Sequence, residues 1–361
     1  MTSQTPQTVR PSDVDPADRP SFAGSSLPRW APLATVGGAV AVALPLVVSG
    51  WNPLLAALVA AVLTGAGLYA WSRSVEGPRR AVDRLVTVVV TSAFLLALVP
   101  LVSVIVTVLQ NGLPRFDPEF FTYSMRGVVG EGGGAYHAIV GTLIVTGLAT
   151  LMSVPIGLLA AIYLVEYGRG RLARAITFLV DVMTGIPSIV AGLFAYALFV
   201  VFFGPGIRMG FAGAVALSVL MIPVVIRSTE EMLKLVPNEL REAAYALGVP
   251  QWRTIVKVVV PTAIAGIATG VTLAIARVIG ETAPLLVTVG ITTSMNFDAF
   301  DDSRMATLPV FAYYSYVAPG VPRDPYIDRA WTAALTLIII VMALNLGARL
   351  ISRLFAPKTG R

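Results

Sequence analysis

Long apolar stretches alternate with shorter polar segments along the whole 361-residue chain. A helix of about 20 apolar residues crosses the hydrocarbon core of a bilayer. Eight stretches are long enough for this, at about 31–49, 52–71, 85–110, 136–165, 173–203, 210–226, 258–289 and 330–352. No stretch shows the alternation over ~10 residues that is typical of a membrane β-barrel. The pattern predicts an all-α polytopic membrane protein with eight spans.

The composition agrees with this prediction. Hydrophobic residues make up 56% of the chain and charged residues only 13%, whereas soluble domains are about 25% charged. Residues 1–29 are the exception, because they are polar and rich in Pro, Ser and Asp. They cannot bury enough apolar surface to order themselves, so we expect a disordered tail there.

The basic residues predict the orientation of the spans. They cluster in the connections after the second, fourth and sixth spans and at the C-terminus, which all lie on one side if eight spans are correct. These residues are Arg73, Arg79, Arg80, Arg84, Arg169, Arg171, Arg174, Arg227, Lys234, Arg241, Arg253, Lys257, Arg349, Arg353 and Lys358. That side is therefore expected to be cytoplasmic, with both termini on it, and the net charge of +6 belongs to these loops rather than to a nucleic-acid surface.

Several kinds of chemistry are excluded by what the sequence lacks. The chain has no cysteine, so it has no thiol chemistry, and His137 is its only histidine, which disfavours a metal site. No Gly-Lys pair occurs, so the chain has no Walker A loop to bind nucleotide phosphates. We expect no catalytic residue, no metal and no cofactor of its own.

A short amphipathic helix is predicted within 238–250, between the sixth and seventh spans. The segment reads NELREAAYALGVPQWRTIVKVVVP over 238–261. Asn238 is a suitable N-cap, and Gly248 can end the helix because glycine tolerates the left-handed conformation. The predicted outward face is small and flat, and consists of Ala243, Ala244, Ala246 and Leu247. Such a face suits close approach by another protein.

This segment resembles the EAA loop of permease subunits in ABC importers. The resemblance rests on Glu242-Ala243-Ala244, on Gly248, and on Val258-Val259-Val260-Pro261, where Val replaces the usual Ile and Leu. In that family the loop contains a coupling helix that docks on a separate ATPase subunit. The resemblance therefore implies that Glu242, Ala243, Ala244 and Gly248 couple the chain to an ATPase.

Three further stretches resemble the PstA-type permeases of phosphate-specific importers, within the binding-protein-dependent transport permease family. They are DVMTGIPSIVAGLF (181–194), IPVVIRSTEEMLKLVP (222–237) and ARVIGETAPLL (276–286). The resemblance covers about 80–355 and implies a type I importer core of six spans. The helices of 30–72 are two additional spans.

The family also implies partners and a location. These are a PstC-type sister permease, a PstB-type ATPase dimer that binds ATP and Mg²⁺, and an extracytoplasmic PstS-type phosphate-binding protein. The implied location is a bacterial inner membrane. Two alternatives remain open, namely a permease for another oxyanion and a secondary transporter that needs no ATPase.

Two ionisable residues, Arg277 and Glu281, lie deep in the seventh predicted span. Arginine at the centre of a span costs roughly 2.5–3.5 kcal/mol on insertion scales, so it usually faces a cavity or a partner. At i and i+4 on a helix the two could form an ion pair that only guides packing. In an anion transporter, Arg277 would instead attract phosphate, and Glu281 would help to reject anions that have no proton to donate.

Weaker candidates for the substrate path are Thr184 and Ser188. They flank Gly185-Ile186-Pro187, which interrupts a helix, and irregular backbone at membrane depth is tolerated mainly where it lines a cavity. A simple packing kink is the alternative. Arg227 with Glu230 and Glu231 is expected to brace the coupling loop, and Asp181 to pair with a loop arginine. The aromatic segment 305–320 is expected either to cap the lipid interface or to dock an extracellular partner.

Overall fold

The computed structural model describes residues 26–355, and every regular element in this range is helical. Most of the predicted tail 1–29 lies outside the described residues, as does Lys358. The described chain divides into two compact units, 26–105 and 106–355. The boundary between the two units falls inside one long helix, Pro78–Gly112. The division predicted from the sequence, between two additional spans (30–72) and a transport core (80–355), stays a prediction.

The first unit contains α1 (Ala31–Val48), α2 (Pro53–Val75) and most of α3 (Pro78–Gly112). The side chain of Asn52 caps α2 by accepting a hydrogen bond from the amide of Leu54 at 2.9 Å. Where α2 turns into α3, the carboxylate of Glu76 accepts hydrogen bonds from Arg84 at 2.6 and 2.8 Å and from Ser72 at 2.7 Å. These bonds fix the turn between the two helices.

The second unit is built from eleven further helices. They are α4 (Pro118–Thr122), α5 (Tyr136–Ile162), α6 (Arg171–Gly185), α7 (Ser188–Phe203), α8 (Gly210–Lys234), α9 (Asn238–Ala246), α10 (Gln251–Thr254), α11 (Val260–Val278), α12 (Ala283–Thr288), α13 (Leu308–Val317) and α14 (Asp324–Phe355). Two single π-helical turns extend this set. Tyr163–Tyr167 continues α5, and Ile255–Val259 joins α10 to α11.

Seven helices of the described range are long and apolar enough to cross a membrane. The fifth predicted span, 173–203, consists of two helices, α6 and α7, which meet at a bend of 110° where the sequence predicts the Gly185-Ile186-Pro187 interruption. Proline disfavours helical backbone in the residue before it, and Ile186 is extended (φ −74°, ψ 128°) just before Pro187. Counting this bent pair as one span gives the eight that the sequence predicts.

The seventh predicted span, 258–289, is not one continuous helix, so the prediction of a helix through Glu281 is wrong. Its helical part begins earlier, at Gln251, and ends at Val278. Gly280 and Glu281 lie outside any helix, and α12 starts afresh at Ala283. Pro284 cannot donate an amide hydrogen bond to a continuing helix, which explains the interruption. The sixth span is longer than predicted, since α8 continues to Lys234.

The core of the second unit lies around α8, which packs against α5, α7, α11 and α12. Its main buried cluster includes Val145 of α5, Leu217 and Met221 of α8, and Leu285 after the break. Small residues allow close helix contact in membranes. At Gly213 of α8, for example, an added Cβ would lie 2.3 Å from Cγ2 of Val289. This core holds the broken helices in place.

Candidate functional site

The two interrupted helices meet at a glycine. α7 packs against α12, and a Cβ added at Gly192 would lie 2.5 Å from Cα of Pro284. Ser188 lies one turn before Gly192, and Glu281 lies three residues before Pro284. The structure therefore brings the Gly-Ile-Pro-Ser stretch and the Gly-Glu-Thr-Ala-Pro stretch together, although they are about 90 residues apart in the chain.

Arg277 and Glu281 do not share a helical face, so that prediction is wrong. Arg277 lies in the last turn of α11, whereas Glu281 lies in the break and its amide bonds the carbonyl of Val278 at 3.1 Å. The guanidinium of Arg277 is exposed and makes no ion pair or hydrogen bond with any residue of the described range. The C-terminal end of a helix favours a cation. An ion pair that only guides packing is thus not what holds Arg277.

Thr184 and Ser188 lie on either side of the bend between α6 and α7. The hydroxyl of Thr184 donates to the carbonyl of Val180 at 2.8 Å, within its own helix. Ser188 is the first residue of α7 and is half-buried, and its hydroxyl makes no hydrogen bond within 26–355. Of the two, Ser188 is the one whose hydroxyl has no hydrogen-bond partner within 26–355, and it lies one turn before Gly192.

Arg227 links α6 to α8. Its guanidinium binds the carboxylate of Asp181, and it also donates to Glu230 at 3.0 Å, which accepts from Lys234 at 2.6 Å. The predicted contact of Arg227 with Glu230 is confirmed, whereas Glu231 is exposed and adds no bond to this network of described residues. Asp181 pairs with a helical arginine rather than with one in a loop.

The predicted coupling helix is α9, Asn238–Ala246. Gly248 ends it as predicted, with φ at +73° and amide bonds from Gly248 to Tyr245 (2.9 Å) and from Val249 to Ala244 (3.1 Å). This pair of bonds is a Schellman motif. Asn238 does not cap the helix, because it is its first residue and its Oδ1 instead accepts from Arg241 at 3.3 Å.

The outward surface of α9 is less flat than predicted. Glu242 and Ala243 are exposed, whereas Ala244 is buried against the protein. Larger apolar side chains also face outward, including Leu247, which is 84% exposed, and Tyr245. Exposed apolar groups of this size on a polar helix are typical of a docking surface.

Sequence analysis missed the residue that holds α9 in place. Glu166, in the π-helical turn after α5, accepts from Arg241 at 2.8 Å. The signal was present, since a lone carboxylate at the very end of an apolar span is unusual. His137, for which no function was predicted, is buried with its ring edge-to-face on Phe311 at 5.5 Å.

The all-helical fold, the broken spans and the exposed helix α9 agree with the ABC importer permease class expected from the sequence. Residues 153–361 match the family of binding-protein-dependent transport system inner membrane components, and the chain belongs to that family. It has the all-α polytopic fold of a type I importer permease. Among solved structures, the inward-facing MetNI methionine ABC transporter aligns over 62% of this chain and 94% of that chain, at 21% identity and a TM-score of 0.48.

Its relatives are named phosphate transport system permease protein PstA. PstA 1 of Mycobacterium tuberculosis (strain CDC 1551 / Oshkosh) is 48% identical over 276 residues, covering 76% of this chain and 89% of that protein. PstA of Mycobacterium leprae (strain TN) is 49% identical, covering 76% and 90%. PstA of Pasteurella multocida (strain Pm70) is 43% identical, covering 68% and 86%. The recognition of a PstA-type permease from sequence is confirmed.

Proposed function

We propose that the chain is the permease subunit of an ATP-driven importer of inorganic phosphate, in which it forms the translocation path together with a sister permease. The names of its relatives support the substrate. The geometric observation behind the proposal is the contact of two broken helices at Gly192 and Pro284, with an exposed, unpaired Arg277 at the end of α11. An unpaired guanidinium in a span requires a partner, and an anion supplies one.

Arg277 and Glu281 have complementary roles in this proposal. The guanidinium presents a planar set of donors that matches two phosphate oxygens at once. Phosphate near neutral pH keeps at least one P–OH group, from which the carboxylate of Glu281 accepts. Sulfate has no such proton and meets only repulsion. Ser188 and Thr184 are proposed to line the same path from the other broken helix.

The energy comes from a separate ATPase subunit in this proposal. ATP and Mg²⁺ bind to a PstB-type dimer, which docks on α9 through the surface around Glu242 and Leu247. Movement of α9 then switches the PstC-type and PstA-type permease pair between outward and inward openings. Phosphate arrives from a PstS-type binding protein on the outer side of a bacterial inner membrane. The basic loops and both termini face the cytoplasm, in keeping with the positive-inside rule.

Co-purification followed by an ATPase assay tests the proposal. The complex obtained with this chain as bait should contain a sister permease and an ATPase, and phosphate with the binding protein should stimulate ATP hydrolysis. Equal or greater stimulation by sulfate or molybdate would assign another oxyanion. Uptake by the chain without any ATPase, or undiminished uptake after deletion of 238–250, would instead indicate a secondary transporter.

A further inference from the structure

A network around Glu166 and Arg241 links α9 to the ends of three membrane-crossing helices. Oε1 of Glu166 accepts from Nε and Nη2 of Arg241, at 3.1 and 2.8 Å. The backbone carbonyl of Glu166 accepts from the amide of the Gln251 side chain at 2.8 Å. We call Glu166, Arg241 and Gln251 the Glu166 junction.

Arg241 also bonds the end of α8. Its guanidinium donates to the carbonyl of Leu233 at 3.0 Å and to the carbonyl of Val236 at 2.7 Å. These carbonyls lie where α8 ends, and that of Leu233 also accepts from the backbone amide of Val236 at 3.3 Å. The junction therefore holds α9 to the end of α8, to the end of α5 at Glu166, and to the start of the helix that leads into α11 at Gln251.

The junction is shielded from solvent, which separates it from ordinary surface ion pairs. The side chain of Glu166 is 5% exposed and that of Arg241 is 13% exposed. Exposed ion pairs contribute little and are easily exchanged for water, whereas a guanidinium with four protein acceptors has one fixed orientation. Just after Glu166 the chain turns tightly on itself, since a Cβ added at Gly168 would lie 2.4 Å from the carbonyl oxygen of Leu164.

Both π-helical turns of the described chain flank this junction. Glu166 lies within the first, Tyr163–Tyr167, and Gln251 begins the short α10 that leads into the second, Ile255–Val259. Such turns contain a wider backbone ring than the α-helix and occur often at functional sites. Along the chain, α9 is joined to its neighbours by the short segments 235–237 and 247–250, and it also packs against α10 and the second π-helical turn.

We propose that Arg241 and Glu166 are positioning residues for energy coupling, which make the ends of α5, α8 and α10 move together with α9. Without them, α9 would tilt on its two short connections while the spans stayed still. This inference rests on the proposed function, in which an ATPase displaces α9. It concerns the transmission of that displacement, and not the docking surface or the substrate path.

The first test measures phosphate transported per ATP hydrolysed, in the complete complex reconstituted into liposomes. Glu166→Gln keeps the size of the side chain but removes its charge, and Arg241→Lys keeps the charge but cannot make the same set of bonds. We expect each to lower the transport-to-hydrolysis ratio by about tenfold, within the range of measured pair couplings. The double variant should lower this ratio no further than either single variant, because both substitutions break the same contact between Glu166 and Arg241.

Arg253→Lys is the matched control, since Arg253 is exposed on α10 and only covers the ring of its neighbour Trp252, at 5.2 Å. It should keep the wild-type ratio. A ratio within about twofold of wild type in both junction variants would overturn the proposal. If neither junction variant assembles while the control does, the residues serve folding rather than coupling, and the proposal is also overturned. If only one junction variant assembles, its transport-to-hydrolysis ratio alone supports or overturns the proposal.

The second test needs no phosphate, so it separates this inference from the proposed function. The chain has no cysteine, so spin labels can be placed at Glu239→Cys on α9 and Tyr167→Cys in the π-helical turn, both exposed positions. A narrow distance distribution is expected for the otherwise native chain, and a broad one with Glu166→Gln. An unchanged distance distribution would refute the proposed role of the junction, even if phosphate-stimulated ATP hydrolysis is normal.

Discussion

At the scale of single residues, two buried or membrane-embedded arginines have opposite surroundings. Arg329 on α14 is fully buried, donates from Nη1 to the carbonyls of Gly130 and Gly132 at 2.8 and 2.7 Å, and covers the ring of Tyr326 at 4.5 Å. Arg277 has no such partners in the described chain. Arg329 therefore fixes a loop, whereas Arg277 is the arginine that we propose to bind an anion.

Replacement of Arg277 by Lys should nearly abolish phosphate uptake while the complex still assembles, because a lysine is a point charge without the planar fork. Uptake of radioactive phosphate into reconstituted liposomes measures this. Arg253→Lys, at an exposed position of α10, is the control. Wild-type uptake by Arg277→Lys would remove the residue from the path.

Replacement of Glu281 by Gln should reduce the preference for phosphate over sulfate, because an amide no longer repels a fully deprotonated anion. The measurement is stimulation of ATP hydrolysis by each anion, in the same preparation. If the preference stays unchanged, Glu281 has no role in selectivity.

Glu76 gives the first unit a defined pH dependence. Its hydrogen bonds from Arg84, then from Ser72, lower the pKa of the carboxyl from 4.5 to about 2. The folded state thus binds fewer protons than the unfolded state, so this stabilisation is complete above pH 4.5 and is lost as the pH falls toward 2. Thermal unfolding at pH 7 and pH 3 should show a smaller loss for Glu76→Gln than for wild type. Asp83→Asn, at an exposed position, should behave as wild type.

The residues of the site were only partly predictable from sequence. Arg277 and Glu281 stand out because charges are rare in apolar runs, and Gly248 because of its spacing after Ala243-Ala244. Glu166 could be seen as unusual, but its partner Arg241 is 75 residues away. A contact of that kind depends on packing, which periodicity within a single segment does not encode.

At the scale of elements, apolar length predicts the spans well and their interruptions poorly. The stretches 173–203 and 258–289 are continuous in hydropathy, yet each contains a break next to a proline. Hydropathy measures transfer to lipid and is insensitive to a missing amide hydrogen. The Gly-Ile-Pro signal was recognised as an irregularity, but the size of the bend follows from how α7 packs against α8 and α12.

Gly192→Ala should disturb the contact of the broken helices, because the new Cβ meets the backbone of Pro284, which cannot rotate away. We expect a loss of about 2 kcal/mol in stability, the usual range for overpacking, and reduced uptake. Gly147→Ala on α5 is the control, since nothing lies within 4 Å of its added Cβ. Equal melting temperatures for the two variants would contradict the contact.

At the scale of the whole molecule, the family match falls inside the second compact unit. The match covers 153–361, within the unit that begins at Val106. The relatives align with about three quarters of this chain and about nine tenths of their own length. The helices α1 and α2 are thus expected to be additional to the transport core.

Deletion of residues 1–77 tests this division. The shortened chain begins at Pro78, the start of α3. It should still assemble and support phosphate-stimulated ATP hydrolysis at about the wild-type rate, because the PstA relatives align with only about three quarters of this chain. Size-exclusion chromatography and the ATPase assay measure both properties. Loss of the assembled complex would show that α1 and α2 belong to the core.

The meeting of α7 and α12 at Gly192 has a mechanical consequence. The backbones of the two helices are in contact there, and Gly192 has no side chain that would interlock with the neighbouring helix. Sliding of one helix past the other then requires no rotamer change, and shear between packed helices is a recognised low-cost motion. α12 and its C-cap contribute Leu285 and Val289 to the buried cluster around α8, whereas none of the buried residues of that cluster belongs to α7. α7 is therefore the helix that can shift along this contact while that cluster stays intact.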